Sequence, residues 1–423
     1  MQLIILVTGG LFMKKSAKIF WLTLALIILV IAIILSSTAI INSALFENCS
    51  KSIREIEPVE YTEQLIPKLD ENGYYTFKTD RKFKVVQLTD VHIGAGYMST
   101  SKDTFALNAV SAMLAEEKPD LVFVTGDIAY PVPFQAGTLN NKSGAQLFAE
   151  LMEQLGVYWC PCFGNHDTEV YSYYSRESIS KLYENKELYP HCLFQSGPDE
   201  VDGYGNYVVN VKNSTGEIIQ SFFALDSHSY TDGDYFGIKW KYDCIHENQI
   251  EWYKNEVAKL TEINSGITPK SLAFFHIPLK EMQDAYYELR DNDFKDTENA
   301  QIVYGEAGEE GDVVVYSSNY NKGMFDAFLS EGSTQGLFFG HDHLNNLSIN
   351  YKGIRMTYGM SIDYLAYPKI YKYGAQRGCT VITINQDGSF DAVPENYYQD
   401  KYVAAKHKEN VVFTPYADRK NDE

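Results

Sequence analysis

Five short polar motifs stand in a fixed order along the chain, and their side chains are of the types that bind metal ions. The motifs are Asp90-Val91-His92, Gly126-Asp127, Gly164-Asn165-His166-Asp167, His276 and Gly340-His341-Asp342-His343. They offer carboxylate, amide and imidazole groups, and none of them contains a cysteine. Oxygen and imidazole donors suit Mn, Fe or Zn, whereas a structural zinc site would be rich in thiolates. The motifs therefore predict a catalytic type of metal centre.

Apolar runs position these motifs. Short β-branched or aromatic segments, typical of buried strands, lead directly into four of them. These segments are residues 84–88, 121–124, 272–275 and 337–339. In an open α/β sheet, the loops after the carboxyl ends of strands gather around one ligand crevice. We therefore expect side chains that are distant in sequence to converge there. Glycines 126, 164 and 340 fit sharp turns or close backbone approach beside a ligand.

In combination, the motifs resemble the calcineurin-like metallophosphoesterase superfamily, whose pattern is D-x-H, G-D, G-N-H-[DE], a lone His and G-H-x-H. The resemblance covers residues 84–390. It implies an α/β fold in which two mixed β-sheets pack as a sandwich flanked by helices. It also implies two divalent or trivalent metal ions: Asp90, His92 and His343 would hold the first, Asn165, His276 and His341 the second, and Asp127 would bridge both.

The same resemblance implies hydrolysis of a phosphate ester by direct attack of a metal-bound hydroxide. His166 is the candidate general acid, and Asp167 is expected to orient its ring or raise its pKa. We expect phosphomonoesters as substrates. Two alternatives stay open: the same centre acting on nucleotide or glycerophospho diesters, and a catalytically inactive binding or scaffold protein on this fold. No proposed ligand is substituted, which disfavours the inactive alternative.

Tyr130 adds a second similarity. Gly126-Asp127-Ile128-Ala129-Tyr130 fits the G-D-x-x-Y pattern of purple acid phosphatases, in which the tyrosine binds ferric iron. Those enzymes usually lack the histidine of D-x-H, which is present here as His92. We therefore expect His92 to be a ligand and Tyr130 to be a packing residue. Asn345 and Asn346 after the last motif are similar to a branch related to the small purple acid phosphatases.

The amino terminus contains an uncharged apolar run over residues 19–41, long enough to cross a bilayer core of about 30 Å as a helix. Lys14, Lys15 and Lys18 precede the run and favour a cytoplasmic amino end with the remaining chain outside. The alternative is secretion after signal-peptide cleavage near Ser37-Thr38-Ala39. Translation from Met13 is equally compatible with the run. The predicted organisation is a cytoplasmic end (1–18), a signal anchor (19–41), an extracytoplasmic stalk (42–82), the catalytic domain (83–395) and a tail (396–423). Within the stalk, residues 46–82 are polar and are expected to form either a stalk or an edge hairpin.

Composition limits the partners. Net charge is −20 and hydrophobic residues make up 45% of the chain, which is enough for a large core. No basic cluster occurs beyond the lysines before the apolar run, so neither nucleic acid nor an anionic membrane surface is an expected partner. The expected ligand is a small phosphate ester, and the sequence does not indicate the oligomeric state.

Other features receive structural interpretations. Cys160-Pro161-Cys162 is expected to be part of a strand with buried or otherwise paired thiols, and the pairing of the six cysteines is left open. Histidines 191, 228, 246 and 407 are expected to lie outside the site, with His228 the main candidate exception. Segments 171–189, rich in tyrosine, and 280–321, rich in acidic residues, are expected to shape the substrate mouth. Helical stripes at 147–155 and 250–260 predict core-facing helices.

Overall fold

The computed structural model describes residues 2–404, apart from 232, 312, 368–369 and 371–376, together with residue 408. The helices are α1 (Gln2–Arg54), α2 (Thr100–Glu117), α3 (Pro133–Ala136), α4 (Asn141–Leu155), α5 (Arg176–Tyr183), α6 (Glu247–Ile263), α7 (Lys280–Asp291) and α8 (Met324–Glu331). The strands are β1 (Lys68–Leu69), β2 (Tyr75–Lys78), β3 (Phe83–Leu88), β4 (Leu121–Thr125), β5 (Trp159–Cys162), β6 (Tyr207–Lys212), β7 (Ile218–Ala224), β8 (Ser271–Phe274), β9 (Ala300–Tyr304), β10 (Thr334–Phe339), β11 (Ser348–Tyr351), β12 (Ile354–Tyr358), β13 (Gly378–Ile384) and β14 (Phe390–Asn396).

These strands form two mixed sheets. The larger sheet has the order β1-β2-β6-β7-β8-β10-β12-β11-β9, and the smaller has the order β14-β13-β3-β4-β5. Strands β3, β4 and β5 are parallel, as are β7, β8, β10 and β12. The strands predicted before the metal-binding motifs are therefore confirmed, and within each sheet their carboxyl ends lie on one edge.

A phenylalanine cluster joins the two sheets. Phe123 of β4 stacks on Phe274 of β8 with ring centroids 3.9 Å apart, and Phe274 stacks in turn on Phe338 of β10 at 5.2 Å. All three side chains are fully buried. Because β4 belongs to the smaller sheet and the other two strands to the larger, these contacts form the interior of a sandwich. The predicted two-sheet architecture is confirmed.

Helices cover both outer faces. Residues of α2 and α4 belong to the same core cluster as the smaller sheet, while α6, α7 and α8 pack with the larger sheet in a second cluster. The predicted stripes at 147–155 and 250–260 lie in α4 and α6, and their apolar members are buried. Cys160 and Cys162 lie in β5 and are buried, so the strand predicted for them is also confirmed.

α1 continues from the apolar run into the folded domain without a break. Its segment from Ala17 onward is long and apolar enough to cross a membrane, and no residue of its most apolar part is buried. After residue 41 the helix packs against α4, where Ser50 donates a 2.5 Å hydrogen bond to Glu150 Oε2. β1 and β2 add an edge hairpin to the larger sheet. Of the two forms left open for residues 46–82, a stalk or an edge hairpin, the structure shows the hairpin at β1 and β2.

The carboxyl-terminal segment also packs on the domain as far as it is described. After β14, Tyr402 donates a 2.7 Å hydrogen bond to Glu117 Oε1 at the end of α2, and Lys401 pairs with the same carboxylate at 2.9 Å. Residues 405–407 and 409–423 of the predicted tail, including His407, lie outside the described residues.

Candidate metal centre

The five motifs meet where the two sheets bring their strand ends together. Four groups of possible ligand atoms among the described residues have all their members within 4.8 Å of one another, and two of them match the predicted sets: Asp90, His92 and His343 form the first, and Asp127, His276 and His341 form the second. The other two are His92, Asp127 and His166, and, away from the motifs, His228, Asp243 and His246. Asn165 Oδ1 lies 3.1 Å from His276 Nε2 and so joins the second group. The structure thus brings together all seven residues that the sequence analysis assigned to the metals, in the two sets expected.

Asp127 lies between the two groups. Its Oδ2 atom is 3.3 Å from His92 Nε2 on one side and 3.1 Å from His276 Nε2 on the other. The carboxylate is fully buried, which disfavours its ionised form, but the charges on His276 and His166 outweigh burial and hold the pKa of Asp127 well below its usual range. An ionised carboxylate in this position suits a ligand shared by two cations.

The imidazoles are oriented by acceptors on their Nδ1 side. His92 Nδ1 lies 3.2 Å from Asp363 Oδ1, His276 Nδ1 lies 2.8 Å from the carbonyl oxygen of Thr125, and His343 Nδ1 lies 3.1 Å from Glu310 Oε2. Metal-binding histidines almost always have such a partner on the ring nitrogen that does not bind the metal. Each of these three rings therefore turns its Nε2 atom toward the centre.

Two buried Nε2 atoms of the centre lack a partner. Nδ1 of His92 faces the Asp363 carboxylate at 3.2 Å without meeting hydrogen-bond geometry, whereas Nε2 of His341 and Nε2 of His343 are inaccessible and have no hydrogen-bond partner among the described residues. Burying an unpaired polar atom is unfavourable, so such atoms call for an explanation. A cation at each position would satisfy them. Together with the mixed oxygen and imidazole donor set, this makes the residues fit a pair of transition-metal ions.

The backbone around the ligands is tightly constrained. Asp90, His92, Asp127 and His341 all have positive φ angles, between 50° and 80°. Such conformations are uncommon for residues with a Cβ and concentrate at functional sites. At position 340 a Cβ atom would lie 1.9 Å from Thr89 Oγ1 and 2.7 Å from Asp90 Oδ2, so only glycine lets the two loops approach. This agrees with the close approach expected at that glycine.

His166 lies at the edge of the centre. Its backbone N–H donates to Asp127 Oδ1 at 2.8 Å, and its ring Nδ1 lies 2.7 Å from Glu169 Oε1. The ring is about one-quarter exposed, whereas Glu169 is buried. Tyr230 donates to the same Glu169 oxygen at 3.2 Å and accepts a hydrogen bond from the side-chain amide of Asn165. One hydrogen-bonded chain therefore connects the His166 ring to a proposed ligand.

The orienting role expected for Asp167 is wrong. Its Oδ2 atom accepts hydrogen bonds from the backbone N–H groups of Asp127 and Gly164, and its Oδ1 atom accepts one from Ala129. All three bonds are 2.8–2.9 Å long, so the carboxylate is committed to holding two ligand loops together. Glu169, two residues further along, takes the place at the imidazole of His166. Asp167 is thus a structural residue of the centre.

Tyr130 packs at the centre without directing its hydroxyl into it. The ring centroid lies 4.9 Å from those of His92 and His166, both edge to face. The hydroxyl group donates to Gln135 Oε1 at 2.8 Å. This arrangement agrees with the expectation that His92, and not Tyr130, faces the metals.

Three supporting residues were missed by the sequence analysis: Glu169, Asp363 and Glu310. Asp363 follows strand β12, so the strand-end rule that found the other motifs also applies to it. Glu310 was noted only as part of an acidic segment, and nothing local in the sequence marks it as a partner of His343. That segment is docked and not freely solvated, because Asn345 binds Gly308 N and Val314 O through its side chain.

The other histidines lie outside the centre. His228, the candidate exception, stacks on His246 with ring centroids 4.0 Å apart, and its Nε2 lies 2.8 Å from Gln249 Oε1. His191 pairs with Glu153 at 2.6 Å. These three therefore have structural partners, as expected. The two segments predicted to shape the substrate mouth contain regular structure: α5 lies within 171–189, and α7 and β9 lie within 280–321.

Known proteins resemble this chain in sequence. A family model described as "Calcineurin-like phosphoesterase" matches residues 83–345, which include all five motifs. "Probable inactive purple acid phosphatase 14" of Arabidopsis thaliana is 30% identical over 322 residues, or 70% of this chain and 74% of that protein. "Phosphatase DCR2" of Saccharomyces cerevisiae is 28% identical over 308 residues, or 68% of this chain and 47% of that protein. A crystal structure of a dimetal phosphatase from Danio rerio aligns over 72% of this chain and 93% of its own, with 13% identity and a TM-score of 0.42.

Proposed function

Since the chain belongs to the calcineurin-like phosphoesterase family, we propose that it is a two-metal phosphatase of phosphomonoesters, held at a membrane by α1. The observation that carries the proposal is the pair of ligand groups with Asp127 between them, its Oδ2 atom lying 3.3 Å from His92 Nε2 and 3.1 Å from His276 Nε2. A catalytically inactive protein on this fold would not need to keep seven ligand side chains together. Nor would it need a partner at Nδ1 of three imidazoles and two unpaired Nε2 atoms. Their joint presence supports a working centre.

In this proposal Asp90, His92 and His343 hold one ion, and Asn165, His276 and His341 hold the other. Asp127 contributes to both. When bound, two such cations neutralise charge on the phosphoryl oxygens and lower the pKa of bound water. Asp363 and Glu310 keep their imidazoles in the orientation that binding requires.

His166 is proposed as the general acid that protonates the departing alkoxide oxygen. Two observations support this role: its ring is partly exposed at the edge of the centre, and Glu169 fixes its orientation through Nδ1. The Nε2 atom is then free to reach a substrate. Asp167 contributes by holding the loops of Asp127 and Gly164 and has no direct part in proton transfer.

The proposed location is a single-pass membrane protein with an extracytoplasmic catalytic domain. The apolar run of α1 is exposed, and the helix continues beyond it into contacts with α4. Cleavage after the run would leave those contacts in a soluble product. A fractionation blot tests the alternative, because release of a form about 4 kDa shorter would contradict a retained anchor.

A metal-reconstitution assay tests the activity. Full-length protein in detergent is stripped of metal and resupplied with Mn, Fe or Zn, and hydrolysis of p-nitrophenyl phosphate and bis-p-nitrophenyl phosphate is compared. We expect metal-dependent turnover with preference for the monoester, and a loss of at least about a hundredfold in Asp127→Asn. His191→Gln, outside the centre, is the matched control. Preference for the diester would replace phosphatase by phosphodiesterase.

The names of the relatives make a negative outcome informative. One relative is named a probable inactive enzyme and another a phosphatase. Absence of turnover with every metal, in protein that still binds metal, would overturn the proposed activity and favour an inactive binding protein on this fold.

A further inference from the structure

Three loops that follow metal motifs are free of charged residues. They comprise residues 93–101 after His92, 128–141 after Asp127 and 170–175 after the His166 motif, and we call them the rim. None of these residues is Asp, Glu, Lys or Arg, although 22% of the chain is charged. Loops that face water on an acidic protein usually carry charge. The rim therefore has the composition of a surface that does not face bulk water.

Large apolar side chains project from each rim loop. Phe134 is 87% exposed, Tyr173 is 65% exposed, and Tyr97 and Met98 are about half exposed. Exposed apolar patches of this kind mark interaction sites. Tyrosine among uncharged polar residues is typical of surfaces in the interfacial layer of a membrane, because an aromatic ring with a polar group suits that layer, and a phenylalanine beside it suits the apolar side of the same layer.

The rim is attached to α1 at the point where the apolar run ends. Asn42, the first residue after the run, donates from Nδ2 to the carbonyl oxygen of Gly137 at 3.1 Å. Its Oδ1 atom accepts a hydrogen bond from the backbone N–H of Tyr97 at 2.9 Å. Two rim loops are thus fixed to the helix where it would leave the bilayer.

The rim also extends along the helix toward the bilayer. A groove of about 490 Å³ lies between α1 and the rim, and its walls include Leu35 and Ala39 on the helix and Ala95 and Tyr173 on the rim. Leu35 lies seven residues before Asn42, which is about 10 Å along a helix. The polar layer on each side of a bilayer core is about 5–8 Å thick. If α1 spans a membrane, the rim lies in this layer.

The metal centre lies directly behind the rim. Tyr130 contacts the rings of His92 and His166, and its hydroxyl group binds Gln135, the neighbour of Phe134. A group held at the headgroup layer is therefore separated from the ligands by about one layer of side chains.

From this arrangement we infer that the rim rests on the headgroup layer of the bilayer that holds α1, and that the centre takes phosphomonoesters carried on membrane lipids. The occupant of the rim is the lipid surface itself. The substrate class rests on the proposed phosphatase function, whereas the docking of the rim does not.

Fluorescence quenching tests the docking. Full-length protein carrying Trp21→Phe receives either Phe134→Trp or Ile267→Trp and is reconstituted in phosphatidylcholine vesicles with brominated acyl chains. Ile267 is 58% exposed and precedes β8, at the sheet edge opposite the metal loops, so it is the matched control. The signal of each introduced tryptophan is the difference from the Trp21→Phe parent, which keeps Trp159, Trp240 and Trp252. We expect bromine to quench the tryptophan at 134 and not the one at 267. Equal quenching would overturn the docking, and so would blue-shifted emission at 134 without quenching, which would indicate a protein partner.

Turnover tests the substrate class. The ratio of phosphatidic acid hydrolysis in phosphatidylcholine vesicles to p-nitrophenyl phosphate hydrolysis is measured for the unsubstituted protein and for Phe134→Ser. We expect this ratio to fall at least about tenfold, the size of the effect of removing one buried aromatic side chain from a lipid contact. An unchanged ratio would overturn the lipid substrate. Absence of turnover on both esters would refute the proposed function, and the quenching result would still decide whether the rim is docked.

Discussion

Replacing Asp363 by Asn tests whether the residues behind the ligands determine metal binding. Asp363 is fully buried, and its Oδ1 atom lies 3.2 Å from His92 Nδ1. The same carboxylate accepts hydrogen bonds from the backbone N–H groups of Leu365, Ala366 and Tyr367, at 2.6–2.7 Å. Asn keeps the size of the side chain and one acceptor oxygen but removes the negative charge that faces the imidazole.

The expected effect is on affinity for one of the two metals. Loss of a partner behind a metal-binding histidine typically weakens metal binding 10–100-fold, which corresponds to about 1.4–2.7 kcal/mol. His92 belongs to the ligand group with Asp90 and His343, so only the ion in that group should be affected. The other group keeps its own Nδ1 acceptor, the carbonyl oxygen of Thr125.

Calorimetric titration of metal-stripped protein with Mn²⁺ measures the effect. We expect two binding events in the unsubstituted protein and a selective weakening of one in Asp363→Asn. The control is Asp103→Asn. Asp103 is also buried and accepts from the backbone N–H groups of Gly94 and Ala95 in the His92 loop, but it contacts no proposed ligand. Equal affinities for the unsubstituted protein and Asp363→Asn would refute the reasoning, as would an equal loss in the control.

Three further predictions concern the same structure. Glu169→Gln should reduce hydrolysis of alkyl phosphates about tenfold or more and spare p-nitrophenyl phosphate, because only a poor leaving group needs protonation; equal losses would indicate a structural role. Gly340→Ala should lower stability by about 1–3 kcal/mol and weaken metal binding, since its Cβ would collide with Thr89; an unchanged melting temperature would contradict the crowding. Hydrogen bonding to Asp243 and Asp202 raises the pKa of His246 to about 9. Its stabilising contribution is then complete below pH 6.5 and lost as the pH rises through 9, and after screening it amounts to less than about 1 kcal/mol. His246→Gln should remove this pH dependence from thermal unfolding curves.

Local signals in the sequence were enough to find the ligands. Each metal-binding side chain follows a strand, and strands with continuous apolar residues are recognisable from a few neighbours. The parallel arrangement of such strands then brings their ends to one edge. The same local reasoning found the strand at Cys160 and the apolar faces of α4 and α6. The assignment of seven ligands to two ions came from the family resemblance and stays a prediction, although the structure brings the seven side chains together.

Contacts between distant segments decided the rest. The sequence offered Asp167 as the partner of His166 because the two are adjacent, but the turn directs Asp167 to backbone N–H groups and leaves the imidazole to Glu169. Glu310 reaches His343 from a segment that nothing local in the sequence marks, and the position of Asp363 after a strand places it near the centre without showing that it pairs with His92.

The amino-terminal segment also has one feature that the local sequence predicts and others that depend on tertiary contacts. The apolar run of α1 was evident from composition alone, because hydropathy is a local property. For the polar residues 46–82 the sequence left a stalk or an edge hairpin open, and the structure packs this segment on α4 and as a hairpin at the edge of the larger sheet. The sequence by itself determined the strands, the ligands and the apolar helix, because each depends on the residues next to it. The tertiary structure alone decided which carboxylates hold the imidazoles and that an uncharged rim adjoins the end of the apolar run, because both depend on how remote parts of the chain pack together.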